Sequence, residues 1–216
     1  MELIIKDKSN KLKFKCKKCG FCCDNTIIYL YPFDIFNLCR ALDIKTFEFN
    51  IKYSKFIIDK EGIPRCVLSN RPGCPFKKDN KCEFYDLRPL RCRLFPVGRF
   101  YQEDKVQFIL PKQQCIGFDT GAKQTIEEYM KEQDAEKFDK ISEQWNRFII
   151  GLKGKDILKN RLFPVVFRKV FYDFDDKLID SYRKKLGKEY SIEDFMKNLY
   201  EIWETLSKNI GVITQN

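Results

Sequence analysis

Cys16-Lys17-Lys18-Cys19-Gly20-Phe21-Cys22-Cys23 places four thiols within eight residues, and the rest of the chain is read outward from it. Cys16, Cys19 and Cys22 form C-x2-C-x2-C, a spacing that sets three sulfurs on one tight loop. Bacterial ferredoxins use the same spacing, with a fourth cysteine, followed by proline, given to a second cluster. Here the fourth thiol is Cys23, directly adjacent. Neighbouring residues point their side chains apart, so the spacing predicts that Cys22 and Cys23 serve different metal sites. Further cysteines stand at 39, 66, 74, 82, 92 and 115, and none follows. Cys39 falls in an apolar helical pattern and reads as a buried core thiol. Cys66, Cys74, Cys82, Cys92 and Cys115 then remain as ligands. The four thiols of the motif and four of these five would complete two four-thiolate sites.

The chemistry of the set depends on the compartment. Met1 to Lys18 is studded with Lys and Asp and contains no apolar run of the signal-peptide kind. No stretch approaches the roughly 18 apolar residues of a membrane span. A cytoplasmic chain without a membrane role is expected, and there reduced cysteines mean metal or catalysis more often than disulfides. The adjacent pair and the two-residue gaps also crowd the geometry that a disulfide requires. The chain has no histidine. That removes zinc sites built from paired cysteines and histidines, cysteine–histidine dyads and any imidazole acid or base. Thiolates, carboxylates and backbone atoms are left as ligands. No Gly-rich phosphate loop or telling carboxylate pair suggests hydrolysis, so no catalytic residue is assigned.

At 216 residues, 44% apolar and with 20 Phe, the chain can bury a core of its own. Residues 1–123 carry 24 Lys+Arg against 14 Asp+Glu, a net of 24 − 14 = +10, whereas residues 124–216 carry 17 of each. Leu3 to Ile5, Thr26 to Tyr31, and hairpins over 56–68 and 100–110 carry strand patterns. Helices are predicted from Pro32 and over Thr46 to Tyr53, 138–149, 178–186 and 192–210, with capping boxes at Thr125-x-x-Glu128 and Ser191-x-x-Asp194. Glycines 151, 187 and 211 read as helix stops. Leu162 to Phe174 mixes helical and strand signals. The expected class is α+β. A cysteine-rich, metal-stapled module of short strands and loops spans 1–121, and a helical region spans 122–216.

Beyond the opening motif come Cys74-Pro75-Phe76 and Cys82-x-x-Tyr85-x-x-Arg88-Pro89-x-x-Cys92-Arg93-x-Phe95-Pro96. In this order and spacing the chain resembles the CxxCxxCC family, the YkgJ-type cysteine-cluster proteins described as zinc- or iron-chelating, over about residues 14–118. The resemblance implies metal binding by Cys16, Cys19, Cys22, Cys23, Cys74, Cys82 and Cys92, with Cys115 as an addition; Cys66 is kept as a further candidate. Flagellin lysine methylases resemble the pattern more distantly, with a different cysteine spacing, and methylation is not carried over.

Two metals answer to such a set. The ferredoxin-like spacing and the absence of histidine favour iron–sulfur clusters of the [4Fe-4S] kind, one or two in number, whereas zinc accepts the same thiolates. Arg88, Arg91 and Arg93, gathered about Cys92, are candidate groups for binding the cofactor by hydrogen bonding to cluster sulfurs. The alternative for these arginines is a docking face for an acidic partner, or an ordinary solvated loop. The expected function is an iron–sulfur protein acting in electron transfer, or the cluster-bearing part of an oxidoreductase or modification enzyme, with a redox partner protein. The alternative is a non-catalytic zinc module that contacts RNA or an acidic protein through Lys11, Lys13, Lys15, Lys17 and Lys18.

Overall fold

The computed structural model describes residues 3–69, 73–102, 105–111, 115–174, 177, 179–181, 184 and 190–213. Its strands, in chain order, are β1 (Leu3–Lys6), β2 (Lys11–Phe14), β3 (Tyr29–Leu30), β4 (Ser54–Ile58), β5 (Pro64–Leu68), β6 (Lys77–Lys78), β7 (Lys81–Cys82), β8 (Gly98–Gln102), β9 (Lys105–Pro111) and β10 (Phe118–Thr125). The helices are α1 (Phe21–Asn25), α2 (Pro32–Leu42), α3 (Thr46–Tyr53), α4 (Leu90–Leu94), α5 (Ile126–Glu132), α6 (Asp139–Leu152), α7 (Phe163–Phe171) and α8 (Ile192–Ile213). The class is α+β, with helix dominating the second half.

Contacts gather the chain into two compact units, one of residues 1–28 with 70–140 and the other of 29–69 with 141–216. They differ from the consecutive segments 1–121 and 122–216 expected from the sequence. The physical reason lies in the partners of the termini. In the first unit, β1 joins the β9–β8 hairpin as the outer strand of a sheet ordered β1-β9-β8, with Leu3 opposite Pro111. Strand β2 pairs antiparallel with β10, Phe14 opposite Phe118, with a register shift before Lys123. Lys11 to Phe14 alternates exposed and buried, so Leu12 and Phe14 turn inward as a half-buried strand requires. The capping box at Thr125 then starts α5: Glu128 N–H donates to Thr125 Oγ1 at 3.1 Å and Thr125 N–H to Glu128 Oε2 at 2.7 Å.

The second unit is built on aromatic burial. Its sheet is ordered β3-β5-β4, and the β4–β5 hairpin places Cys66 on β5. Helix α6 presents Ile141, Trp145 and Ile149 on one face at helical spacing. Trp145 meets Phe171 at 5.0 Å, Phe167 meets Phe171 at 4.8 Å, and Phe36 stacks on Phe195 at 4.3 Å. The ambiguous segment 162–174 resolves as helix α7, with Pro164 in its first turn, where a missing N–H costs nothing. Helix α8 runs through Gly211 to Ile213 rather than stopping at the glycine, and α6 likewise passes Gly151 by one residue. The helix expected over 178–186 lies largely outside the described residues. The strand expected over Thr26 to Tyr31 contracts to Tyr29–Leu30. No helix among the described residues is long and apolar enough to cross a membrane.

Candidate metal centre

Eight of the ten cysteines, all those of the CxxCxxCC pattern and Cys115, fall in the first unit. Cys39 and Cys66 fold into the second, on α2 and β5. Cys66 is 1% exposed, and burial pushes its thiol up to about 12 despite the Ser54 hydroxyl and Arg168 nearby, which act the other way. A thiol held neutral in this way behaves as a small core residue. None of the ten cysteines is in a disulfide; Cys19 is exposed, and the other thiols of the pattern are half-buried.

The opening loop owes its shape to two left-handed residues, Lys18 at φ 53° and Gly20 at φ 76°. Only glycine takes the second position easily, since a Cβ there would stand 3.1 Å from Lys77 Cδ. The N–H of Lys18 turns back to Cys16 Sγ at 3.4 Å. Cys22 and Cys23 then lie in the first turn of α1, where successive side chains diverge by about 100°. Divergence does not part them fully, because the two thiols still hydrogen-bond to each other. The hydrogen bond with Cys22, helped by Lys77 and Arg88, lowers Cys23 to about 7 against the opposing effects of burial and Asp24. Cys22 is pushed well up, first by that hydrogen bond, then by burial and by the charges of Cys23, Cys16 and Cys92.

The second half of the donor set comes from a segment with little regular structure. Cys74 leads into the two-residue hairpin β6–β7, which places Lys77 opposite Cys82. Burial raises Cys74 to about 11, with Cys23, Cys82 and Asp24 adding to the rise and the N–H of Phe76 opposing it. Cys82 is raised by burial and by Cys23, against the N–H of Phe84 and Arg88. Asp24, directly after Cys23, accepts the Cys74 N–H at 3.4 Å and pairs with the Lys77 ammonium, which holds its carboxyl below the usual range. Cys92 lies on α4, anchored by its N–H to Pro89 O at 2.9 Å.

The arginines around Cys92 divide by what they touch. Arg88 lies 3.7 Å over the Tyr85 ring, donates to Tyr85 O at 2.8 Å, and its charge bears on Cys23 and Cys82. Arg93 is spent on the backbone: Nε donates to Arg88 O at 2.9 Å, Nη1 to Gln133 O at 3.2 Å, and Nη2 to Asp86 O. Arg99 is buried and paired with Asp139. Arg91 is half-exposed, with its Nε buried and unpartnered. Of the three arginines expected to bind cofactor, Arg88 is placed so that its charge favours the thiolate forms of Cys23 and Cys82.

Among the described residues, no three Cys, Asp or Glu side chains converge closely enough to enclose a metal ion as they stand. The donor chemistry nevertheless fits a thiolate-bound metal: eight sulfurs of one unit, none in a disulfide or fully buried, on loops and short elements, with cations beside some of them. Charge is shared between the units, at 21 − 15 = +6 for the first and 20 − 16 = +4 for the second. Of the +10 that 1–123 shows in sequence, segment 29–69 carries only 6 − 5 = +1, and residues 124–140, at 3 − 6 = −3, bring the first unit down to +6.

Residues missed in the sequence are Asp24 and Lys77, which fasten the Cys74 loop to α1, and Phe14 and Tyr129 on the other side. The Tyr129 hydroxyl donates to Phe95 O. An acid one residue past a ligand carries no signal of its own, because its partner lies 53 residues away.

Comparison with known proteins agrees with this chemistry. Residues 15–116 match the CxxCxxCC model, described as a "putative zinc- or iron-chelating domain". Two relatives from Methanocaldococcus jannaschii are similar. The uncharacterized protein MJ0661 is 29% identical over 130 residues, which cover 56% of this chain and 67% of that protein. The uncharacterized protein MJ0939 is 27% identical over 118 residues, covering 51% of this chain and only 38% of that protein. No solved structure matches the chain. Residues 15–116, just under half of the chain, thus match a family described as zinc- or iron-chelating, and the match supports metal binding in general.

Proposed function

We propose that the chain is an iron–sulfur protein, acting in electron transfer or as the cluster-bearing part of a redox or modification enzyme. One observation carries this reading: eight thiols outside any disulfide in a single unit, in a chain without histidine. Thiolates are soft donors that suit iron–sulfur clusters and zinc alike, and the C-x2-C-x2-C spacing of Cys16, Cys19 and Cys22 favours the former as [4Fe-4S]. When bound, such a cluster supplies one-electron exchange at a potential set by its surroundings. Cys16, Cys19, Cys22, Cys23, Cys74, Cys82, Cys92 and Cys115 would supply the thiolates for one or two such clusters.

The other residues of the unit condition those sulfurs. The Lys18 N–H at 3.4 Å from Cys16 Sγ and the Arg88 charge near Cys23 and Cys82 both set positive charge density beside sulfur. Arg88 is held for that task by stacking on Tyr85, whose ring also lies 4.6 Å from the Lys18 ammonium. Phe21 and Ile116, next to Cys22 and Cys115, are 60% and 66% exposed, which supports docking of a redox partner protein beside the thiols. The reduced thiols suit the cytoplasm.

Anaerobic purification followed by a visible spectrum and metal and sulfide analysis tests the reading. A brown protein containing iron and acid-labile sulfide is expected. A colourless protein carrying zinc overturns it, and leaves a zinc-stabilised module that contacts RNA or an acidic protein.

A further inference from the structure

Strand β2 turns its lysines outward. Lys11 and Lys13 alternate with Leu12 and Phe14, which are 5% and 2% exposed, and Lys15, just past the strand, keeps the alternation. Successive lysines in such a row stand about 6.8 Å apart, two residues at about 3.4 Å each. The pairing with β10 adds a fourth. Lys123 is exposed and lies directly opposite Lys13 in the register. Facing residues of an antiparallel pair hold their Cβ atoms about 4.5–5.5 Å apart on one face, where like charges oppose the pairing. Lys15 leans across the same strand: a Cβ at Gly121 would stand 2.9 Å from Lys15 Cβ and 3.7 Å from Lys15 Cδ.

No carboxylate answers this concentration of charge. Among the described residues, no ion pair or hydrogen bond engages the ammonium groups of Lys13, Lys15 or Lys123. Lys11, at the far end of the row, differs, since its charge bears on the Glu128 carboxylate. Asp119 is the one acid of β10, and the register shift separates it from Lys123. Opposed lysines weaken a two-stranded ribbon, whereas a polyanion laid across them reverses the sign of the interaction. Phe14, which the sequence interleaves with the lysines, is buried and offers no ring for a base to stack on. The row therefore presents charge at a regular interval and no apolar side chain. Phosphates along an extended nucleic-acid backbone recur at a comparable interval, while a membrane would receive nothing to insert.

We propose that the outer face of the β2–β10 ribbon, through Lys13, Lys15 and Lys123, binds the phosphate backbone of a nucleic-acid strand without reading its sequence. The site goes beyond the iron–sulfur reading and does not depend on which metal the thiols take. Its binding comes from release of the counterions that the phosphates carry, so it weakens as salt rises. Lys123 is the residue that the sequence hides, because it stands 110 positions from the lysine it faces.

The test follows the fluorescence anisotropy of a labelled oligouridylate with the full chain, purified anaerobically, across a salt series. Three phosphate contacts give a slope of about −2 in log affinity against log salt, about 0.7 for each contact on a single strand. Carried from a reference of about 1 M down to about 50 mM salt, each contact amounts to about eightfold in affinity. Lys13→Gln, Lys15→Gln and Lys123→Gln are each expected to lose that factor, and the triple variant to lose binding altogether. A charge-matched control in the other unit, Lys52→Gln with Lys55→Gln and Lys155→Gln, all exposed, keeps wild-type affinity. Lys123→Glu places an acid opposite Lys13, so its denaturation midpoint should rise while binding falls, which no folding defect would produce. Equal loss in the control, a slope near zero, or competition by polyglutamate as strong as by unlabelled oligonucleotide overturns the proposal. Lysine-dependent sedimentation with phosphatidylserine vesicles, without oligonucleotide binding, overturns it in favour of a membrane. Iron and sulfide are measured in the same samples. An iron-bearing chain that ignores the oligonucleotide refutes this inference alone, and a zinc-bearing chain that binds it refutes the iron–sulfur reading alone.

Discussion

Arg93→Lys separates an arginine that holds the fold from one that faces a metal. The guanidinium is 5% exposed and reaches three backbone carbonyls, those of Asp86, Arg88 and Gln133, with the Asp134 carboxylate at 3.6 Å. Hydrogen bonds from a charged donor contribute about 1.5–3 kcal/mol each, and a buried carbonyl left unpaired costs about 1–3 kcal/mol. A lysine ammonium has no planar fork and can serve one of these positions well. Two unpaired carbonyls, offset by the retained charge, give a local loss of about 3 kcal/mol. The segment to watch is 82–97, where amides such as Leu87 N–H to Phe84 O at 3.0 Å and Cys92 N–H to Pro89 O report its opening. Hydrogen exchange followed by mass spectrometry on that segment should quicken roughly 100-fold in the metal-loaded variant, while the spectrum of the bound metal stays as in wild type. Exchange within a factor of about two of wild type, or a changed metal spectrum with unchanged exchange, refutes the structural assignment and returns Arg93 to the cofactor.

Two further outcomes follow from single atoms. In Gly117→Ala the new methyl would stand 2.7 Å from Lys15 O and 2.7 Å from Phe14 Cε2, so the Cys115 turn must leave β2. A destabilisation of about 1–3 kcal/mol in chemical denaturation is expected, and an unchanged midpoint would show that the close approach is not required. Cys66 sets a pH dependence on the other unit. Its folded pKa is raised from 9.0 to about 12 by burial, so the folded state keeps its proton after the unfolded chain has lost it. Its contribution is fully present below pH 9 and declines as pH rises from there towards 12, by up to about 1.4 kcal/mol per pH unit. Alkylation of native protein at alkaline pH should spare Cys66, and reaction at the unfolded rate would contradict its burial.

The parts of the fold legible in sequence are those whose signal is local. Pro32 before an apolar stripe, the Thr125–Glu128 box and the 56–68 hairpin each name their own partner within a few residues. The unit boundaries were not legible, because β1, β2 and β10 pair over about a hundred residues. Strand β10 also hides its pattern behind Gly121 and a bulge. At the site, the spacing of Cys16 to Cys23 announced thiolate chemistry, whereas Cys22 and Cys23, expected to serve different metals, hydrogen-bond to each other. The contacts that fasten the segments beside the downstream thiols, through Phe14, Asp24 and Lys77, exist only in the folded chain. The arginines show the converse: a basic cluster in sequence resolves into Arg88 beside the thiols and Arg93 and Arg99 within the scaffold.

The order of the segments gives a physical reason for metal in this unit. Its two pieces, 1–28 and 70–140, are separated by 69 − 28 = 41 residues that belong to the other unit. Cys16 to Cys23 lie on the first piece, and Cys74, Cys82, Cys92 and Cys115 on the second. Any metal that takes ligands from both closes a loop of about fifty residues or more, which removes roughly 3–4 kcal/mol of unfolded-chain entropy by the loop-closure argument. The stretch from Cys74 to Cys92 has only a two-residue hairpin, one 3-10 turn and α4 to order it, so little of its backbone is fixed by regular hydrogen bonding. Strand pairs β1–β9 and β2–β10 join the pieces at one set of points, and coordination joins them at another. A thiolate set split evenly between two chain segments is what such a topology requires if metal binding is to be folding as well. The second unit, with its continuous aromatic core from Phe36 to Trp203, has no such need, and its two cysteines are correspondingly buried.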